Sequence, residues 1–174
     1  MAKFVITAGH SNTDPGAVAN GRKEADIACD MRNMVALKLR QRGHTVMTDG
    51  VGGINLPLAD AIRMVQDGHP AIEFHCNAAS AATATGVETI SRMHDKQAAQ
   101  RISKAIGDVL GLRLRGDKGW IDQSQSARGR LGFVRAGGMI VELFFLTNES
   151  DLAAWDARKW LAATAVVDAL EALS

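Results

Sequence analysis

Short apolar runs alternate along this chain with segments whose apolar residues recur at helical spacing. That alternation limits the fold more than any other feature. "KFVITA" (3–8), "HTVMTD" (44–49), "AIEFHC" (71–76, introduced by Pro70), "GVETISR" (86–92) and residues 138–145 read as strands. Between them, residues 23–42 place Ile27, Met31, Met34, Val35 and Leu39 on one helical face, with Gly43 at the C-terminal stop. Residues 57–67 and 96–110 repeat the pattern through Ala61, Ile62 and Val65, and through Ile102, Ala105, Ile106 and Val109. Asn148 before "ESD" has the form of an N-cap with acidic residues in the first turn. A last helix is expected over 156–172, burying Trp160, Ala163, Val167 and Leu170. Strands interleaved with helices predict an α/β domain covering residues 1–174, its mostly parallel twisted sheet flanked by helices on both faces. Residues 112–137, rich in Gly, Arg and Ser, fit neither pattern apart from a short strand at "LGFVR"; a surface loop is the expectation there, with Lys118, Trp120, Arg128 and Arg130 walling a groove as the alternative.

Charge narrows the function classes. Twenty basic and nineteen acidic residues leave a formal net charge of +1, without the excess that draws a protein to nucleic acid or an anionic membrane. No apolar stretch reaches the roughly 18 residues of a membrane span, and "MAKFVITAGH" lacks the apolar core of a signal peptide. Cys29 and Cys76 form no disulfide framework. Synthesis in the cytoplasm, no stable membrane association and a monomeric state are the expectations.

The polar residues fall where an α/β sheet builds sites. His10 follows the first strand, His75 ends the third and Glu142 interrupts the apolar run of the last, while Glu24 opens the first helix. Sites in such sheets form outside the carboxyl ends of strands, so residues far apart in sequence can converge. Two histidines and a carboxylate make a common catalytic zinc set, and a further carboxylate then serves as proton acceptor for the attacking water. Other readings stand beside this one: Glu24 as a solvated first-turn acid, and Glu142 on a solvated edge or paired with Arg128 or Arg135. The local zinc signature H-E-x-x-H is absent. Alternation puts Met139, Val141, Leu143 and Phe145 on one face of the last strand and Ile140, Glu142 and Phe144 on the other.

Three blocks resemble the zinc-dependent N-acetylmuramoyl-L-alanine amidases of the type-3 group: "ITAGHSNTDPGA" (6–17) followed by Glu24, "IEFHCNAA" (72–79) followed by "GVE" (86–88), and "MIVELFFLTNESD" (139–151). They occur in the family's order, and the resemblance spans about residues 3 to 172. It implies hydrolysis of the peptidoglycan amide between the lactyl group of N-acetylmuramic acid and L-alanine. It implies one zinc ion per chain held by His10, Glu24 and His75, with Glu142 as the catalytic glutamate, and Asp14 and Asn77 shaping the site.

The chain departs from the family's pattern where Thr7-Ala8 precede Gly9-His10, and where Glu73 replaces a small residue two before the second histidine. Glu73 shares a strand face with His75. A solvated carboxylate is the expectation; a carboxylate holding His75 from behind is the alternative. Cys76 points to the other face as a small core residue. The segment from 76 to 141 leaves no room for the inhibitory helix that some members insert there, so an open site is expected. Without a separate wall-binding module the chain resembles a bacteriophage endolysin. Other zinc hydrolases on a similar scaffold, a carboxypeptidase using Arg128, Arg130 or Arg135 or an amide deacetylase, and a non-catalytic wall-binding domain are the competing readings.

Overall fold

The computed structural model describes residues 1–65, 69–126 and 131–173. The chain opens with β1 (Lys3–Ala8), then a small hairpin of β2 (Val18–Ala19) and β3 (Arg22–Lys23), which leads directly into α1 (Glu24–Gln41). β4 (Thr45–Met47), α2 (Leu58–Met64), β5 (Ala71–Asn77), β6 (Glu88–Ser91) and α3 (Lys96–Leu110) follow. β7 (Trp120–Asp122), α4 (Gly132–Ala136), β8 (Met139–Phe145) and α5 (Glu149–Glu171) complete it. The six-stranded sheet has the order β4-β1-β5-β8-β6-β7. Its pairings are parallel except that of β6 with β8.

Helices cover both faces, as the alternation predicts. α1, α3 and α5 pack on one face around Phe4, Ile6, Phe74, Val141 and Trp155. α2 and α4 cover the other around Val5, Ala61, Phe133 and Ile140. Among the described residues no helix is long and apolar enough to cross a membrane.

Several expectations need correction. "LGFVR" holds a helix, α4, instead of a strand; Gly137, left-handed at φ 115°, ends it. α2 stops at Met64, and residues 66 and 67 of the expected helix lie outside the described residues. α5 starts at Glu149, because the Asn148 side chain accepts from the backbone N–H groups of Ser150 and Asp151. The buried face of this longer helix runs through Trp155, Ala163, Val167 and Leu170, and Trp160 lies off that face, 56% exposed. The 112–137 segment contributes a sheet strand in β7, whose Trp120 is buried with its indole N–H on Ser91 Oγ at 3.0 Å. Lys118 precedes it, while Arg128 and Arg130 lie outside the described residues.

Alternation along β8 also breaks. Its register against β5 runs from His75↔Glu142 to Asn77↔Phe145, so β8 carries one extra residue there. Such a bulge rotates the residues beyond it. Phe144 joins the α1/α3/α5 core, and Phe145 turns toward the cavity described below.

Candidate metal centre

β1 ends in the sequence Ala8-Gly9-His10, and His10 takes a left-handed backbone, φ 67°. For a residue with a Cβ that conformation is uncommon and is typically held in place by its surroundings at functional sites. Gly9 is required because a Cβ there would collide with the His75 imidazole. Gly16, at φ 64°, would bring its Cβ against His10 Nε2 and the Glu24 carboxylate. The Gly-His and Asp-Pro-Gly elements thus wrap the loop tightly around the two imidazoles.

Glu24, the first residue of α1, is fully buried rather than solvated. The β2–β3 hairpin delivers it, turning through Asn20-Gly21, both at positive φ. Backbone N–H groups of Ala17 and Cys76 donate to its Oε2 and Oε1 at 2.9 and 3.0 Å. Oε1 also lies 2.9 Å from His10 Nε2 and 3.0 Å from His75 Nδ1. One donor atom from each of His10, Glu24 and His75 lies within 4.8 Å of the others.

These residues fit a divalent metal. His10 Nε2 is buried and 2.9 Å from the Glu24 oxygen, yet it makes no hydrogen bond of acceptable angle. It is one of three donor atoms that all lie within 4.8 Å of one another. Two imidazole nitrogens and a carboxylate oxygen are the donor set zinc takes in catalytic sites. Each histidine is also held by a carboxylate on its other nitrogen: Asp14 Oδ2 at 3.0 Å from His10 Nδ1, and Glu73 Oε2 at 3.0 Å from His75 Nε2. Carboxylate–histidine pairs of this kind fix the ring and its tautomer for metal binding. Glu73 is therefore not solvated: it is 2% exposed, between β1 and β8 in the middle of the sheet.

Electrostatics follow from burial. Burial opposes ionisation of Glu24, but the close ring nitrogens of His10 and His75 outweigh it and hold the carboxyl well below its usual range. Burial likewise disfavours protonated His75; hydrogen bonds to Glu24 and Glu73, with the charges of Glu73 and Glu142, overcome it and raise the pKa to about 10. His10 is raised by the adjacent Glu24 carboxylate and by its bond to Asp14, against the same burial cost.

Glu142 sits beside this cluster. It is 4% exposed and directly opposite His75 in the β5–β8 register. Arg135, proposed as a partner from sequence, is exposed on α4 and makes no ion pair among the described residues; Arg128 is not described. Glu142 is also opposite Glu88 across the β8–β6 pair. Glu88 was not singled out as a site residue from sequence. The rule of carboxyl strand ends fails for it, because β6 is antiparallel to β8 and brings its amino end to the site. Glu88 accepts from Asn77 Nδ2 at 3.0 Å and from Arg115 Nε at 2.6 Å. A cavity of about 790 Å³ joins His10, Glu73, His75, Glu142, Glu88 and Arg115, with Ile121, Gln125, Leu131 and Phe133 forming its far wall. Part of the 112–137 segment thus walls the site instead of forming a plain surface loop.

Comparisons with known proteins point the same way. A crystal structure from Neisseria meningitidis, described as a candidate N-acetylmuramoyl-L-alanine amidase, superposes with TM-score 0.91 at 43% identity, covering 99% of this chain and 95% of that one. The catalytic domain of CwlV, the amidase of Bacillus (Paenibacillus) polymyxa var. colistinus, shares the fold with TM-score 0.83 at 20% identity over 99% and 98% of the two chains. LytC, the N-acetylmuramoyl-L-alanine amidase of Bacillus subtilis (strain 168), is 25% identical over 153 residues, 84% of this chain but 30% of LytC, so the chain spans under a third of that relative. The family described as N-acetylmuramoyl-L-alanine amidase matches residues 4–172, and with nearly its whole length inside that match this chain belongs to the N-acetylmuramoyl-L-alanine amidase family.

Proposed function

We propose that this chain hydrolyses the amide between N-acetylmuramic acid and the L-alanine of the stem peptide in peptidoglycan, with one zinc ion held by His10, Glu24 and His75. The observation that carries the reading is the convergence of those three donors within 4.8 Å, with Glu142 opposite His75 on the neighbouring strand. Zinc, when bound, supplies a Lewis acid that acidifies water and polarises the scissile carbonyl.

The protein's own groups account for the rest. Asp14 and Glu73 hold the two imidazoles so that His10 Nε2 and His75 Nδ1 face the metal position. The Glu142 carboxylate takes a proton from the attacking water and returns one to the departing alanine nitrogen, which would otherwise leave as an unstable anion. The rigid apolar strand on either side fixes the direction of that carboxylate. A non-catalytic wall-binding role would have no use for this base beside the donor set.

A lytic, endolysin-like role, reached from the cytoplasm through a partner's membrane lesion, belongs to the same proposal. Among the described residues between His75 and Glu142 lie β6, α3, β7 and α4, which pack into the fold, as the proposed open site without an inserted inhibitory helix requires.

Mass spectrometry of peptidoglycan digested by the zinc-loaded protein tests the reaction. Stem peptides with a free L-alanine amino terminus are expected. Release of C-terminal amino acids would instead indicate a carboxypeptidase, and release of acetate a deacetylase.

A further inference from the structure

We propose that Arg115 forms a carboxylate subsite next to the catalytic centre, gripping a free carboxylate one or two residues beyond the cleaved amide on the peptide side of the substrate. The proposal rests on the amidase reading above and adds a specificity determinant to it. Among the described residues lining the cavity, Arg115 is the one lysine or arginine, and it shares that lining with four carboxylates: Asp14, Glu73, Glu88 and Glu142. Away from the metal position, an anionic substrate group would be repelled from such a lining except where a fixed side-chain cation receives it.

Arg115 is built in. Its backbone N–H donates to Val87 O at 3.0 Å. Its Nε donates to buried Glu88 at 2.6 Å, and its guanidinium lies 4.8 Å from the centre of the Phe145 ring. Among the described residues the guanidinium is hydrogen-bonded through Nε alone, so both terminal amino groups keep their donors. That edge of arginine is the one that matches a carboxylate with two parallel hydrogen bonds. Neutralising Glu88 would need only a point charge; the planar fork adds a recognition surface.

Position selects the substrate group. His75, Glu142 and Glu88 form one row across three adjacent strands. Strands lie about 4.8 Å apart, and an extended peptide advances about 3.4 Å per residue, so Glu88 and its partner lie about one or two residues past Glu142. In the substrate the lactyl carboxyl is consumed in the amide being cut. Free carboxylates remain on the peptide, so the cation serves the peptide side.

The test compares two purified disaccharide–tetrapeptides that differ only in whether the carboxylate of the second peptide residue is free or amidated. The zinc-loaded wild type is expected to favour the free acid by about tenfold or more in kcat/KM, carried by KM, which is typical of a charge-assisted bidentate contact. Arg115→Gln should bring that ratio close to one, through loss on the free acid alone. Where Arg115→Gln does not fold, Arg115→Lys, which keeps a cation beside Glu88, should lower the ratio several-fold at an unchanged melting temperature. A wild type without preference overturns the subsite, as does a variant that slows both substrates equally or keeps the full ratio. If the wild type releases peptide from neither substrate, the amidase reading itself fails, which is a different result from cleavage without preference.

Discussion

Glu73 Oε2 lies 3.0 Å from His75 Nε2, with both side chains buried on one face of β5. The contact leaves His75 Nδ1 for the position shared with His10 and Glu24. Glu73→Gln and Glu73→Ser should therefore weaken zinc affinity, by roughly 10- to 100-fold for the serine variant. Chelator competition measures it directly. Unchanged affinity in both variants would reduce Glu73 to a buried space-filler.

Glu142 is expected to behave differently from the donors. Glu142→Gln keeps the shape of the side chain and removes its basicity. It should retain about one zinc per chain while losing roughly 10²- to 10⁴-fold in kcat. Metal analysis and muropeptide turnover on the same preparation check both halves. Turnover near the wild-type rate would remove the assignment of the base.

Metal binding should be unusually pH-dependent. The pKa of His75 is raised to about 10, and the metal must displace that proton. Apparent zinc affinity should therefore keep rising with pH through pH 7 to 9, by about tenfold per unit for each proton displaced. Titrations in a competing chelator at several pH values read this; a plateau above pH 7 would show an ordinary histidine. The metal-free protein carries the opposite slope. A histidine raised in the fold stabilises fully below its unfolded value of 6.5, and that contribution disappears as pH rises toward about 10. Urea denaturation of the metal-free form should show stability falling over that interval.

Behind the histidine loop, Arg32 and Asp49 pair at 3.1 Å with both side chains fully buried. Asp49 also accepts from Ala8 N, and Arg32 and Asn55 tie the 49–55 loop to Gly9. Arg32→Leu leaves Asp49 buried without its cation, and should destabilise the fold by about 3–5 kcal/mol. A shift of the urea midpoint at constant slope would register it. A neutral effect would mean that Asp49 takes up a proton at little cost.

Much of this was legible in the chain itself. Local pattern is enough where one residue's environment follows from its immediate neighbours: apolar faces recur at helical spacing in α1, and Asn148 caps α5. Asn20-Gly21 also announces its hairpin, a signal easily passed over beside the histidine block. His10, Glu24, His75 and Glu142 could be picked out because strand ends and a helix start concentrate polar groups at one sheet edge. The tertiary structure alone decided the rest. Glu73 reads as solvated until β1 and β8 enclose it on both sides. Glu88 joins the site because β6 runs antiparallel to β8, a direction no local pattern encodes. Phe145 faces the cavity because of a bulge set by pairing between two strands more than sixty residues apart. Side-chain periodicity is local, whereas strand direction, register and burial are properties of partners distant in sequence; here those partners set how the donors are held and what surrounds them.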